Sequence, residues 1–436
     1  MPYASCERLL HFSRGRSEPY PPLDLARGAL SIVDGRERHV VHRGEARKGS
    51  MRRTILVTLV TLTAISPIAI AQSRFTVVPS LSIGGVYDDN LFAEVESDAG
   101  KMLQVRPSFE GNYESPRLAL VSLYSQDMLR SNFSSLNTVD ARRHAFFDTK
   151  FKSSPLTTFA LEARYDRSET PGEIDFDTGI LGSRRTAQRW QISPNLVRRI
   201  NPRSVITAGY DLTRENELDL PSGTLHQARL SLSRETSSRS AIVGTYLARY
   251  FVDPFDTSTS HSVLAGWTRE MAPHTHLSLY AGPRVTSYRS GLKPEVSASL
   301  RRDTNRIDVR ADYWHGETII LGIPGPVAVD SGAMRVTWPF RNRWEFGTAL
   351  GATDINTIDF REARVYRSSL LASWTSHGMY SISASYGLDY QQGDIRRRLN
   401  EDVLRHVFRV SFTVAPRLFR SILPPDEAAR VKGVLR

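Results

Sequence analysis

The first residues able to do chemistry sit together in "GGVYDDNLF": Tyr87, Asp88, Asp89 and Asn90. Two adjacent carboxylates beside an amide could hold a hard cation, act as an acid–base pair, or turn the chain at the end of a strand. A calcium site takes roughly six to eight oxygen ligands, and no further ones are identifiable nearby. The turn is therefore the expected role, with the acids solvated in a loop. His274 and His276 are a second candidate, two apart and so on one face if both lie on a strand. No carboxylate or third donor accompanies them, and zinc wants several protein ligands. "DFDTG", from Asp175 to Gly179, has part of a calcium-loop spacing but lacks the downstream bidentate acid. Nucleophile-elbow, zinc-protease and phosphate-loop patterns are absent. The expectation is no enzyme, no metal and no cofactor.

A larger set of charges recurs at alternate positions of apolar segments. Arg106, Arg164, Arg189, Arg229, Arg310, Arg335, Arg405 and Arg409, with Lys150, are the cations. Asp148, Glu162, Asp166, Asp211, Asp308, Asp312 and Glu345 are the matching acids. If the apolar positions face lipid, these charges line a lumen. Arginine rings select anions in pores, and a guanidinium fits the carboxylate of a uronate sugar. Trp314 could stack on a sugar ring. A lattice of paired charges also stabilises a wide wet lumen, so both roles stand.

The elements that must position these charges repeat with period two. In "MYSISASYGLDYQQ", Tyr380, Ile382, Ala384, Tyr386, Leu388 and Tyr390 alternate with small or polar residues. "RIDVRADYW", "FALEARYDR" and "VITAGYDLT" do the same, as half-buried strands. Short breaks such as Ser115-Pro116, Asn201-Pro202 and Pro273-His274 take turns with longer polar loops such as "ENELDLPSG" and "LGIPGPVAVDSG". About 18 strands result, an even number with short turns at one end, which is the pattern of a transmembrane antiparallel up-and-down β-barrel. Strands are expected to begin near Phe75, Met102, Leu118, His144, Thr157, Arg189, Val205, Leu225, Ala241, Ser262, His276, Val296, Ile307, Ala333, Trp344, Val365, Met379 and Leu404. Both termini would be periplasmic. A soluble sandwich or propeller also alternates. The loop alternation, one-sided aromatics and lack of a two-sided core tell against it.

Tyr87, Tyr165, Tyr210, Tyr250, Tyr313 and Tyr390 each come shortly before a longer loop, as expected of an outer aromatic girdle. Trp338, Trp344 and Trp374 lie near short turns and fit an inner one.

Upstream, "MRRTILVTLVTLTAISPIAIAQS" has two arginines, an apolar core and a small-x-small site, so residues 51–71 read as a signal peptide cleaved between Ala71 and Gln72. Residues 1–50 lack periodicity and read as a mis-assigned start or a disordered extension. The barrel spans 72–417, and 418–436 is a periplasmic tail that Pro424-Pro425 keeps out of the sheet. The single cysteine, Cys6, lies outside the mature part, so no disulfide framework exists there. Net charge is +11 overall. The mildly basic mature part points to anionic carbohydrate or lipid and not to nucleic acid.

Export signal, a first strand ending in Tyr87-Asp88-Asp89-Asn90, and a cysteine-free barrel pattern over about Arg74 to Pro416 together resemble the outer-membrane β-barrel, porin-like proteins of exopolysaccharide biosynthesis clusters. The four-residue motif is short, and the layout adds to it. The resemblance implies a passive pore for export or assembly of exopolysaccharide in a Gram-negative outer membrane. Its partners would be inner-membrane and periplasmic export machinery, the barrel insertion machinery, outer-membrane lipid and lipopolysaccharide, and an anionic polysaccharide. The chain departs from the pattern in not ending on an aromatic residue of its last strand. The alternatives are a general or solute-specific porin, a barrel-borne hydrolase acting on polysaccharide or lipid, and a plugged scaffold.

Overall fold

The computed structural model describes residues 73–93, 98–169, 178–181, 184–218, 220–287, 289–304, 306–320, 322–341, 343–357, 362–376, 379–393 and 402–416. The cleavage site at Ala71 and Gln72, the two N-terminal segments, Asp175 and the whole of the tail lie outside them.

Eighteen strands follow one another: β1 (Arg74–Asp88), β2 (Gly100–Glu114), β3 (Leu118–Ser131), β4 (Thr138–Ser154), β5 (Thr157–Ser168), β6 (Ala187–Asn201), β7 (Ser204–Glu217), β8 (Gly223–Ser237), β9 (Ser240–Val252), β10 (Thr257–Ala272), β11 (Thr275–Thr286), β12 (Arg289–Asp303), β13 (Asp308–Ile320), β14 (Ile323–Phe340), β15 (Trp344–Asn356), β16 (Glu362–Ser376), β17 (Tyr380–Gln392) and β18 (Val403–Val414). Each pairs antiparallel with the next, and β18 pairs back to β1 from Leu81↔Val414 to Asp88↔Val407. The sheet is thus a closed all-β barrel with no free edge along most of its wall. The start of β1 and the end of β18 lie at the same end as the tight turns.

Because side chains alternate, register carries one parity round the whole wall. Leu81, Ile83 and Tyr87 of β1 project outward, and Ser80, Ser82 and Asp88 inward. The outer face is apolar: Leu103, Phe109, Phe159, Ile192, Leu232 and Leu370 are all exposed there. At the tight-turn end Trp338, Phe346, Trp344 and Trp374 form an aromatic patch, with the Trp344 and Phe346 rings stacked at 6.2 Å. Towards the loop end, Tyr165 packs tilted against Trp190 at 4.2 Å, and Tyr366 stacks on Tyr390 at 6.1 Å.

Three expectations need correction. "LGIPGPVAVDSG" is no long loop. β14 starts at Ile323, ten residues before Ala333, and Gly322 turns the chain with φ +73°. Its first residues are apolar on both faces, so no period-two signal marked them as strand. β12 likewise starts at Arg289, ahead of Val296. His274 lies in the β10–β11 turn with φ +64°, whereas His276 is on β11, so the two do not share a strand face.

Candidate functional site

Register places the cations Arg106, Lys150, Arg164, Arg189, Arg229, Arg310, Arg335, Arg405 and Arg409 on the inward face. The acids Asp148, Glu162, Asp166, Asp211, Asp308, Asp312 and Glu345 share it. Arg106 donates to Asp127 across β2 and β3, its Nη2 at 2.7 Å. Asp166 collects Arg164 at 2.7 Å and His144 at 2.8 Å, with Arg142 at 3.9 Å. Arg189 meets Glu215 at 3.1 Å, and Arg310 meets Asp312 at 3.0 Å. Cross-strand pairs such as Arg106–Asp127 and Arg189–Glu215, and same-strand pairs such as Arg164–Asp166 and Arg310–Asp312, thus line the inner wall with a lattice of ion pairs.

The Tyr87–Asn90 run does a different job from the one expected. Tyr87 is exposed and Asp89 half-buried, but the other two are enclosed. Asp88 is 1% exposed and Asn90 2%. Asp88 accepts two bonds from Nε of Arg405 at 3.1 Å and one from its Nη2 at 2.6 Å. Asp89 accepts from the backbone N–H of His406 at 2.6 Å, and the Asn90 amide donates to the carbonyl of Leu404 at 3.0 Å. All three partners belong to β18. The motif therefore stitches the first strand to the last where the barrel closes, and does not stand solvated in a loop. Gly84 serves the same seam: a Cβ there would lie 2.6 Å from the Val410 carbonyl oxygen. Gly85, also expected to permit close approach, would have nothing within 4 Å.

Sequence reasoning missed the site at the opposite side of the mouth. β12 and β13 pair only from Val296↔His315 to Asp303↔Asp308, although both strands continue. Beyond His315 β13 leaves β12, while β14 stays paired with β15 as far as Ala328↔Asn356, and the hairpin tip tucks inside the wall. Ile319 at its tip packs on Leu225 of β8 and Phe251 of β9. Ile320, Ile323, Val327 and Val329 form a buried cluster with Ile355, Ala363 and Val365 of the inner wall, and Trp314 packs against it. Ile180, from the loop between β5 and β6, completes that cluster from the other side. Trp314 is thus engaged by the hairpin's own packing, not set out as a platform for sugar. Among the described residues, two segments from different sides of the wall meet in the mouth.

A buried ion-pair network holds the tip. Glu317 accepts from Thr286 Oγ1 at 2.7 Å and faces Arg284 Nε at 3.4 Å. Arg284 also lies 3.9 Å from Glu295, which receives both Nη groups of Arg249 and the hydroxyl of Ser262 at 2.5 Å. None of the four charged residues exceeds 4% exposure. Such a quartet is tolerable only because two positive and two negative charges are mutually paired. The sequence hint was slight: glycines at 322 and 325, both with positive φ, in a segment without alternation.

Among the described residues, no group of three or more His, Cys, Asp or Glu could hold a metal ion. No family model matches the chain, and no curated protein matches its sequence. Several solved barrels are similar in shape. OccK7 (OpdD) of Pseudomonas aeruginosa is 11% identical, with a TM-score of 0.44 over 80% of this chain and 100% of that one. OccAB4 of Acinetobacter baumannii is 8% identical, with 0.43 over 81% and 100%. The siderophore receptor PirA of P. aeruginosa is 11% identical, with 0.37 over 78% and 80%. Likenesses this distant say nothing about ligand or activity.

Proposed function

We propose that the chain is a porin-type barrel of a Gram-negative outer membrane, a passive and charged conduit for hydrophilic solutes. One observation carries this: polarity is inverted across a closed wall, apolar and aromatic outside and ion-paired inside. A lipid-facing wall needs the apolar side, and a closed ladder leaves no backbone group unpaired in hydrocarbon. The loop end would face outside the cell and both termini the periplasm. The tucked hairpin and the Ile180 loop would narrow the outer mouth. The test is the full chain refolded into planar bilayers. Discrete conductance steps are expected, small in the native chain and larger when the hairpin latch is broken. A chain that inserts yet conducts in neither form overturns the pore.

Exopolysaccharide export is a narrower reading that rests on the resemblance. Its support lies in the motif at Tyr87–Asn90 together with the barrel layout. The inward arginines are chemically suited to an anionic polymer, and energy would come from inner-membrane machinery. The motif's side chains are engaged in closing the barrel, which a porin needs equally. The readings separate in a clean gene deletion. Export predicts less released polymer with polymerisation intact, and a porin predicts lost solute permeability alone.

A further inference from the structure

Among the described residues, the outward rim at the loop end is electrically lopsided. Over β2–β7 the outward residues include Lys101, Arg130, Arg143, Arg167 and Arg214. Asp140 is the one carboxylate seen to pair with any of them, shared by Arg143 and Arg167 at 2.6 Å each. Lys101, Arg130 and Arg214 are exposed and have no ion-pair partner among the described residues. Over β14–β18 the balance reverses: Asp330, Asp354, Glu362 and Asp402 stand there, with Arg364 held by Asp354 at 3.3 Å.

Arg143 and Arg167 are register partners, directly opposite on adjacent strands. Like charges so placed repel, and one shared carboxylate offsets only part of that. Directly below Arg143 and Arg167 the wall changes to rings with polar tips. Tyr124 is exposed, Tyr165 packs tilted against Trp190, and Tyr210 bonds its hydroxyl to Nδ1 of His226 at 3.0 Å. Below these again, further down β4–β6, come Phe151, Phe159 and Ile192. Cations over amphipathic rings over apolar surface match, layer by layer, a molecule with phosphates, a polar sugar and acyl chains.

We propose that the outward rim of β2–β7 is a docking surface for the phosphates of a phosphorylated glycolipid in the outer leaflet. This rests on the membrane-spanning reading above and goes beyond it in assigning a ligand class to one side of the outer wall. Charge complementarity selects the lipid: guanidinium groups bind phosphate in charge-assisted, often bidentate bonds.

The test uses the full refolded chain in detergent, titrated with bisphosphorylated lipid A and with the same lipid dephosphorylated, complexes being counted by native mass spectrometry. The native chain should prefer the phosphorylated form by about tenfold or more, a gap of about 1.4 kcal/mol. Arg130→Gln, Arg143→Gln, Arg167→Gln and Arg214→Gln combined should abolish the preference, while Arg364→Gln on the opposite rim keeps it. Heat-modifiable electrophoretic mobility shows that each variant is folded. Equal binding of the two lipids by the native chain, or a preference that survives the fourfold change, overturns the proposal. Failure of the membrane reading is a separate result, seen as a chain that does not insert into lipid at all.

Discussion

The β1–β18 seam and the tucked tip of the β13–β14 hairpin use the same device, a buried arginine–carboxylate pair, for opposite ends. At the seam, Asp88 and Arg405 join strands that are already paired through eight residues of ladder. At the tip, Glu317 and Arg284 tie the end of β13, which has left its ladder with β12, to β11. The first pair reinforces backbone pairing, and the second stands in for it. A seam that gives way opens the wall to lipid, where unpaired backbone groups have no water. A tip that gives way swings into water, where Glu317 and the surrounding arginines can all be hydrated. The same chemistry should therefore be a stability element in one place and a gating element in the other.

The largest effect is expected for Asp88→Ala. It leaves Arg405 buried and uncompensated at the closure, which costs on the order of 3–5 kcal/mol. Urea titration of the refolded barrel, followed by heat-modifiable mobility, measures it. A loss below about 0.5 kcal/mol, the level of an ordinary surface change, would break the contrast at its root.

Glu317→Ala comes next. It leaves Arg249 and Arg284 sharing only Glu295, but the tip can relieve this by opening. The stability loss should be smaller, about 1–3 kcal/mol, the usual cost of leaving a buried polar group unsatisfied. Single-channel conductance should rise and fluctuate more. Unaltered conductance with a full seam-sized stability loss would mean that the hairpin is part of the wall and not a movable element.

The strand count was legible because a wall apolar outside and polar inside forces period two on every strand, and most strands start within a few residues of the expected position. The interior positions of the arginines followed from the same parity. Two features were not legible, for different reasons. Asp88 looked like a solvated turn residue because its partner Arg405 lies 317 positions away, and no local pattern reports a closure over that separation. The hairpin tip was hidden because "IPGPVAV" is apolar on both faces. That is what a segment buried inside a lumen requires, yet by period alone it resembles a loop.

A finer comparison lies within the seam itself. Gly84→Ala forces its Cβ against the Val410 carbonyl, a backbone atom that cannot yield cheaply, whereas Gly85→Ala meets nothing within 4 Å. The first should cost about 1–3 kcal/mol, as overpacking does. The second should be neutral or gain a few tenths of a kcal/mol, since alanine narrows the unfolded ensemble. Equal effects in the same urea titration would show that the seam tolerates a shift of β1 against β18, so that closure rests on the side-chain clasp and not on close backbone approach.

Among the charge pairs, the smallest stability effect belongs to the inner wall away from both regions. Arg310 pairs with Asp312, but its side chain is 51% exposed to the lumen, so water already screens the pair. Arg310→Ala should cost less than about 1 kcal/mol. Its effect should appear in transport instead, because removing a lumen cation shifts selectivity away from anions. Reversal potentials in a salt gradient should move towards cation preference, with the unfolding midpoint nearly fixed. The exposed lattice would then differ from both buried pairs in kind: its charges shape what passes, whereas Asp88 and Glu317 hold the chain in place. An unfolding midpoint that falls as far as for Glu317→Ala would remove that distinction and make the lattice part of the scaffold.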